Sequence, residues 1–249
     1  MKRSALIAMI VLGAVAAGCA TTPYNPFHVS RDEIFRRVKT VAVATVRVSA
    51  DLSDADQTRA EFQNMIADEL KAEGFQVVPA TEYDQIFKRL RDEISGFFDP
   101  KTGKADEEKI KKVHDLCRRE LTAKFQTDAI LYPAIVVVSA NFYEQTASWN
   151  GVTETATAGN WLQRMFSGGY TGKIPALSLW VWLKDMNGEV LYANGGGLQL
   201  ISKMSVKGFV DVPVQELLVD PKIKSRSVEI AFAPLRGEEP KKHSSPELK

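Results

Sequence analysis

The strongest constraint on the fold of this chain is a β-α-β-α pattern near its N-terminus. Residues 39–48 (KTVAVATVRV) are mostly β-branched and apolar, as expected of a strand buried on both faces. A helical segment follows, with Ser53 as the expected N-cap and apolar side chains at helical spacing as far as Gly74. A short second strand (75–78) and a second helix come next. Because a crossover of this length makes consecutive strands parallel, the pattern predicts an α/β fold.

The second half of the chain has the pattern of an antiparallel meander. Residues 106–125 restart a helix after a polar break, with apolar side chains on one face. In the region that follows, Pro133 predicts an edge strand or a bulge, and the glycines at 195–197 predict a bulge. Asn-Gly pairs favour hairpin turns because both residues tolerate positive φ. The expected strands are 129–147, 152–157, 174–184 and 189–201, and one or two closing helices are expected within 213–235.

The first 18 residues have the three-part layout of a secretory signal peptide. Lys2 and Arg3 form a basic start, residues 5–17 are all apolar or glycine, and small residues lead to Cys19. The apolar run of about 13 residues is too short for a transmembrane helix, which needs roughly 20. The pattern therefore predicts cleavage between Gly18 and Cys19.

The sequence AAGC (16–19) resembles the lipobox of bacterial lipoproteins, with Ala16 at the position where leucine is more usual. The resemblance implies that Cys19 carries a thioether-linked diacylglycerol and, after cleavage, an N-acyl chain. Two or three chains hold a protein lastingly at a bilayer, whereas a single chain is marginal. Ala20 stands where an aspartate would mark retention in the inner membrane. The resemblance therefore implies an outer-membrane anchor, with the domain facing the periplasm.

These patterns divide the chain into four parts. Residues 1–18 are the predicted signal peptide, and residues 19–37 are the lipidated cysteine with a tether rich in Pro, Thr and Asn. Residues 38–236 are expected to form a single α/β domain. The charged, proline-containing residues 237–249 are expected to be a disordered tail.

Composition argues against two classes of protein. Without Lys2 and Arg3 the chain has 30 basic and 31 acidic side chains, so no positive surplus would attract nucleic acid. With Cys19 lipidated, Cys117 has no partner for an intramolecular disulfide. The domain must therefore be stabilised by packing, for which its 45% of apolar residues is sufficient.

Few residues suggest chemistry. His114 and Cys117 lie three positions apart on a helix, a spacing that allows a shared metal, but no further ligand accompanies them. Cys117 falls on the apolar face of that helix, where a free cysteine packs as a small hydrophobic residue. Asp54 and Asp56 suit a helix N-terminus better than a pair of acid and base. We therefore expect a non-enzymatic protein with no metal and no cofactor other than the lipid. An anchored enzyme that uses Cys117 or acidic residues is the alternative.

Residues 158–172 form a longer connection than a tight hairpin needs. The segment combines residue types that are enriched at protein interfaces, and long loops in compact domains tend to be functional or disordered. Two interpretations are equally supported: a docking site for a partner, or a short amphipathic turn that covers the sheet. The residues concerned are Trp161, Leu162, Met165, Phe166 and Tyr170.

Three hydrophobic segments add to the evidence from the lipobox. They are VAVATV (41–46), GFQVVPATEYDQIF (74–87) and TDAILYPAIVVVSA (127–140). Together they resemble the periplasmic α/β domains of the curli-secretion channel lipoprotein, the penicillin-binding-protein activator lipoprotein and the GNA-type lipoproteins. The N-terminal domain of the Tol-system propeller protein shares this fold. The resemblance implies an assembly or regulatory role, through contacts with other envelope proteins. We therefore expect a domain that binds an envelope protein or further copies of the chain in an assembly or transport complex. A ring-forming secretion-channel component is a further alternative.

Overall fold

The computed structural model of the protein describes residues 24–48, 55–98, 102–158, 171–205 and 208–240. The helices are α1 (Arg31–Arg37), α2 (Ala55–Ala72), α3 (Ala80–Glu93), α4 (Glu107–Phe125) and α5 (Pro221–Phe232), with a 3-10 turn at Val214–Glu216. The strands are β1 (Thr40–Val43), β2 (Gln76–Val78), β3 (Ala129–Tyr143), β4 (Thr146–Trp149), β5 (Val152–Thr155), β6 (Thr171–Asp185), β7 (Val190–Leu200), β8 (Ser202–Ser205) and β9 (Gly208–Asp211). Within these described ranges, no helix has the length and apolar character needed to cross a bilayer.

A long antiparallel pair, β3 with β6, forms the centre of the sheet. Its register runs without a break from Ala129 opposite Asp185 to Tyr143 opposite Thr171. β1 lies parallel to the first residues of β3, and β2 lies parallel to β1. β4 pairs with the last residues of β3, and β7 lies on the far side of β6. The structure therefore confirms the expected α/β fold, with a parallel opening and an antiparallel remainder.

Helices cover both faces of the sheet because each carries one apolar stripe. α2 buries Phe62 and Leu70 on the same face as α5. α4 buries Val113 and Leu121 beside α3 on the opposite face. A third apolar cluster lies further along that second face, where the β4–β5 hairpin covers the far ends of β3 and β6. The second face is thus covered at its two ends by different elements.

The three glycines predicted to mark a bulge lie in the middle of β7. The bulge is confirmed, because the register with β6 shifts directly after Gly197. Gly196 approaches α5 so closely that an added Cβ atom would lie 1.8 Å from the carbonyl oxygen of Ser227. A Cβ atom on Gly197 would lie 2.2 Å from a methyl group of Val152 in β5. Glycine therefore allows β7 to be covered tightly by α5 and by the hairpin.

Pro133 lies in β3 at a bulge, which confirms one of the two predicted settings. The backbone N–H of Ala44 donates to the carbonyl oxygen of Leu131, and that of Arg47 donates to the carbonyl oxygen of Pro133. Between these two hydrogen bonds, the segment after β1 advances three residues while β3 advances two. Proline has no N–H group, and this position within a bulge does not require one. The bulge brings Arg47 back to the edge of β3 beyond the end of β1.

Both Asn-Gly pairs connect strands, as predicted. Asn150 and Gly151 have φ values of 36° and 79°, the left-handed geometry that joins β4 to β5 in a tight hairpin. The expectation of one strand over 129–147 is wrong, because a turn at Glu144, with φ of 54°, divides it into β3 and β4. The sequence pattern also missed the short β8–β9 hairpin. The closing segment 213–235 contains one helix, α5, after the 3-10 turn.

Residues 24–37, which belong to the segment (19–37) predicted to be a tether, pack against the domain. The Tyr24 hydroxyl donates a hydrogen bond of 2.6 Å to the carbonyl oxygen of Ala193 in β7. Phe27 forms a bridge along the same strand, and α1 buries Ile34 in the core. The prediction of a tether does not hold for residues 24–37, because their aromatic and aliphatic side chains pack on β7 and in the core.

We expect the Gly196→Ala substitution to lower the free energy of unfolding by about 3 kcal/mol or more. The overlap involves the backbone of α5, which cannot move aside as a side chain can. Gly172→Ala is the matched control, since its Cβ atom would meet only the ring of Phe142, at 3.2 Å. Chemical denaturation followed by circular dichroism measures both variants. Equal stability of the two variants would contradict the close contact between β7 and α5.

Candidate functional site

The site residues predicted at the N-terminus and in the long loop lie outside the described residues. Their assigned roles, lipid attachment and partner docking, stay predictions from the sequence. The residues concerned are Gly18 and Cys19, together with Trp161, Leu162, Met165, Phe166 and Tyr170.

Cys117 lies in the core between α4 and the sheet. It is 1% exposed, and burial raises the pKa of its thiol to about 12. A buried, protonated thiol among apolar neighbours fits the structural role predicted for Cys117 better than that of a nucleophile, which reacts as the thiolate. The described part of the chain contains no group of three or more His, Cys, Asp or Glu side chains that could hold a metal ion.

The strand order creates a crevice at the end of β1. The chain runs from β1 to β2 through α2 on one face of the sheet. It then runs from β2 to β3, on the other side of β1, through α3 and α4 on the opposite face. In open α/β sheets, ligands bind where such connections diverge, outside the carboxyl ends of the strands. Residues 44–47 follow β1 at this point.

A cavity of about 760 Å³ lies at this crevice, between α3, α4 and the face of β3 and β6. Its volume is within the range of pockets that hold small molecules. We call it the aromatic–basic cavity after its lining. The aromatic residues are Tyr83, Phe87, His114, Tyr132 and Trp182, and the basic residues are Arg47, Lys111, Arg118 and Lys184.

The aromatic side chains form a continuous wall. Tyr83 and Phe87 stack at a centroid distance of 5.7 Å because they lie one turn apart on α3. The ring of His114 lies 5.2 Å from that of Phe87 and 6.3 Å from that of Tyr132. Trp182 is partly exposed and continues the wall along β6. The cavity therefore offers several ring faces on which a flat ligand can stack.

Basic side chains surround this wall. Lys184 Nζ lies 5.7 Å from the centroid of the Tyr132 ring, within the range of a cation–π contact. Arg118 is held by an ion pair with Asp115 on α4. Among the residues that the structure describes, neither Lys184 nor Arg47 takes part in an ion pair. Lys111 has no such ion pair either, so three of the four cations at the cavity are unpaired within the described part of the chain.

Asp84 is the carboxylate among the described lining residues, and it is already engaged. It accepts a hydrogen bond from the Thr45 hydroxyl, and Lys88 Nζ lies 3.9 Å from one of its oxygens. Four cationic side chains and this single carboxylate line the cavity. The resulting potential attracts an anion.

The ionisation of the ring side chains reflects this environment. Burial raises the pKa of the Tyr83 and Tyr132 hydroxyls, so both stay protonated and can donate hydrogen bonds. Burial lowers the pKa of His114, and the positive charges of Arg118 and Lys184 lower it further. The imidazole of His114 is therefore mainly neutral at neutral pH.

Sequence patterns did not indicate this cavity. Its lining comes from several elements, whose residues are spread along the chain from Ala44 to Val190. Each aromatic or basic side chain occupies an ordinary position on its own helix or strand. The usable signal was the β-α-β-α opening, because that topology places a crevice at the end of β1.

Comparisons with known proteins give distant structural similarities. No protein family model matches the chain, and no curated protein matches it. The lipoprotein GNA1162 from Neisseria meningitidis is 17% identical, with a TM-score of 0.33, and the match covers 68% of this chain and 85% of that chain. A PelC dodecamer from Paraburkholderia phytofirmans is 12% identical, with a TM-score of 0.35, and the match covers 80% of this chain and 89% of that chain. With TM-scores this low, neither protein transfers a function or a residue role to this chain.

The depressed pKa of His114 predicts a pH-dependent stability. Below about pH 6.5, the ordinary pKa of histidine, the unfolded chain takes up a proton that the folded chain binds only at lower pH. The free energy of unfolding should therefore fall as the pH decreases through this range. His114→Asn should reduce that fall, as measured by urea denaturation at several pH values.

His28 supplies the control for this measurement, because its side chain is exposed near the start of the folded part. His28→Asn should leave the pH dependence of the free energy of unfolding unchanged. A His114→Asn variant with the pH dependence of the wild type would show that His114 is not buried as a neutral imidazole.

Proposed function

We propose that this chain is a lipid-anchored protein of the outer membrane that faces the periplasm and acts by binding, without catalysis. The observation that carries the proposal is the signal-like N-terminus that ends in the lipobox-like residues at Cys19. The aromatic–basic cavity supports a binding role, because its rings and cations can hold a ligand. Cys117, the nucleophile of the enzymatic alternative, is buried in the core.

Tyr24 follows Cys19 by only five positions in the sequence, and this limits the orientation of an anchored domain relative to the bilayer. Five residues of extended chain span at most about 18 Å, so the lipids must lie close to the Tyr24 ring. That ring packs edge-on against Trp180 at 6.1 Å, and its hydroxyl bonds to Ala193. In a lipidated protein, the β7 edge of the sheet is therefore the side nearest the bilayer.

We propose that Trp161 and Phe166 contact the partner, which is an envelope protein or a further copy of this chain. The last described residue before the loop that contains them, Ala158, lies beside β8, where its N–H donates to the carbonyl oxygen of Met204 at 2.7 Å. The adjoining β9 carries Phe209, which is 59% exposed. Apolar side chains on both segments would together form one contact surface.

Mass spectrometry of the protein isolated from membranes tests the anchor. The mature chain should begin at Cys19 and carry the added mass of a diacylglycerol and an N-linked acyl chain. The Cys19→Ala variant should lack this mass, because it has no sulfur to acylate. Cys117→Ala is the matched control and should keep it. A wild-type chain with an intact signal peptide, or with an unmodified Cys19, would contradict the proposal.

Cross-linking in native membranes tests the docking surface. The double variant Trp161→Ala/Phe166→Ala should lose the cross-linked complex while its circular dichroism stays unchanged. Tyr143→Ala is a suitable control, because Tyr143 is an aromatic residue that is 64% exposed on β3. Complex formation by the double variant at the wild-type level would reject the docking role. Light scattering of the purified complex separates the two kinds of partner, since only self-assembly gives whole multiples of the chain mass.

A further inference from the structure

The aromatic–basic cavity contains cationic side chains that have no ion pair among the residues that the structure describes. Lys184 reaches the cavity from β6 and Arg47 from the segment after β1, and neither has an ion pair within the described residues. Arg118, by contrast, is paired with Asp115. Hydrogen bonds between an ionised donor and an ionised acceptor are roughly twice as strong as neutral ones. Lys184 and Arg47, which have no ion pair with a described residue, therefore favour a ligand that carries a phosphate or carboxylate group.

The aromatic side chains of the cavity indicate that the anionic group of the ligand is attached to a ring. A bare inorganic anion would use the cations but would leave most of the cavity, about 760 Å³, unfilled. It would also make no use of the Tyr132 and Trp182 rings that line the cavity. Stacking on aromatic faces tolerates many kinds of ring, because it depends on the face of the side chain more than on specific hydrogen bonds.

Hydroxyl-bonding groups favour a sugar over an aromatic acid. Thr45 and Asp84 line the cavity with a hydroxyl and a carboxylate, and Tyr83 and Tyr132 add two phenolic hydroxyls. These groups can both donate to and accept from the hydroxyls of a sugar. Asp84 keeps acceptor lone pairs beyond its contacts with Thr45 and Lys88, to which a sugar hydroxyl can donate, whereas an aromatic acid without hydroxyls cannot.

We propose that the aromatic–basic cavity binds a sugar that carries a phosphate or carboxylate group. The anionic group bonds to Lys184 and Arg47, the ring stacks on Tyr132 and Trp182, and the sugar hydroxyls bond to Asp84 and its neighbours. This inference depends on the cavity and not on the anchor. An unmodified Cys19 would therefore contradict the lipid anchor but not the sugar site. A cavity that binds nothing would contradict the sugar site but not the lipid anchor.

Isothermal titration calorimetry of the mature protein in detergent tests the ligand class. Glucose 6-phosphate and glucuronate are the two anionic probes, and at least one of them should bind. Glucose, which lacks the charge, and phenyl phosphate, which lacks the hydroxyls, should each bind at least about tenfold more weakly. The proposal is overturned if neither anionic sugar binds, or if glucose or phenyl phosphate binds as tightly as the anionic sugars.

Charge-removing variants locate the site. Arg47→Gln and Lys184→Gln should each weaken the binding of the anionic sugar by about tenfold while leaving circular dichroism unchanged. The Arg47 side chain is exposed, so the Arg47→Gln variant should fold. It therefore tests the site even if the Lys184→Gln variant fails to fold. Lys222→Gln, an exposed position on α5, is the matched control and should bind as the wild type does. Wild-type affinity in Arg47→Gln and in a folded Lys184→Gln would place the binding elsewhere and reject the proposal.

A competition experiment separates the two sources of such a sugar. Vesicles of phosphatidylcholine that contain a monophosphorylated glucosamine lipid are added to the complex with glucose 6-phosphate. Displacement by these vesicles, and not by pure phosphatidylcholine, identifies the headgroup of a glycolipid as the ligand. If glucose 6-phosphate stays bound to the protein in the presence of these vesicles, the ligand is a soluble anionic sugar. Displacement by both kinds of vesicle would show that the lipid surface itself competes, which contradicts recognition of the sugar.

Discussion

The antiparallel pairing of β3 with β6 is the interaction on which the rest of the structure depends. Each strand has 15 residues and so extends about 50 Å, whereas two packed helices cover roughly 20 Å. On one face, α3 and α4 cover one end of the pair and the β4–β5 hairpin covers the other end. The surface between them, around Tyr132 and Trp182, stays partly open and becomes the floor of the aromatic–basic cavity.

On the opposite face of the sheet, the close approach of α5 to β7 closes one end, whereas Val137 and Tyr143 further along β3 are exposed. Gly196 removes the side chain that would hold α5 away. Asn194 Nδ2 then donates to the carbonyl oxygens of Ile230 and Ala231, both at 3.1 Å. The N-terminal segment closes the outer edge of β7 through the Tyr24 hydroxyl. The end of this face beneath α2 and α5 and the outer edge of β7 are therefore closed by packing.

The order and type of most elements could be predicted because they depend on local patterns. A buried strand, a helical stripe or an Asn-Gly turn is a property of neighbouring residues. The packing of Phe27 and Ile34 could not be predicted, because the composition around them suggests a tether and their burial depends on the distant β7. The cavity was missed for the same reason: Arg47 and Lys184 come together only through the pairing of β3 with its neighbours on both sides.

The central claim is that the gap between the two coverings of the β3–β6 pair is a ligand site. An NMR titration of the ¹⁵N-labelled protein tests this most directly, with whichever of glucose 6-phosphate and glucuronate binds in calorimetry as the ligand. The structure predicts chemical-shift changes at the backbone amides of residues 44–47, 83–87, 114–118 and 182–190, with none in the β8–β9 hairpin. A spectrum that does not change, or that changes mainly at β8, β9 or α5, would contradict the claim.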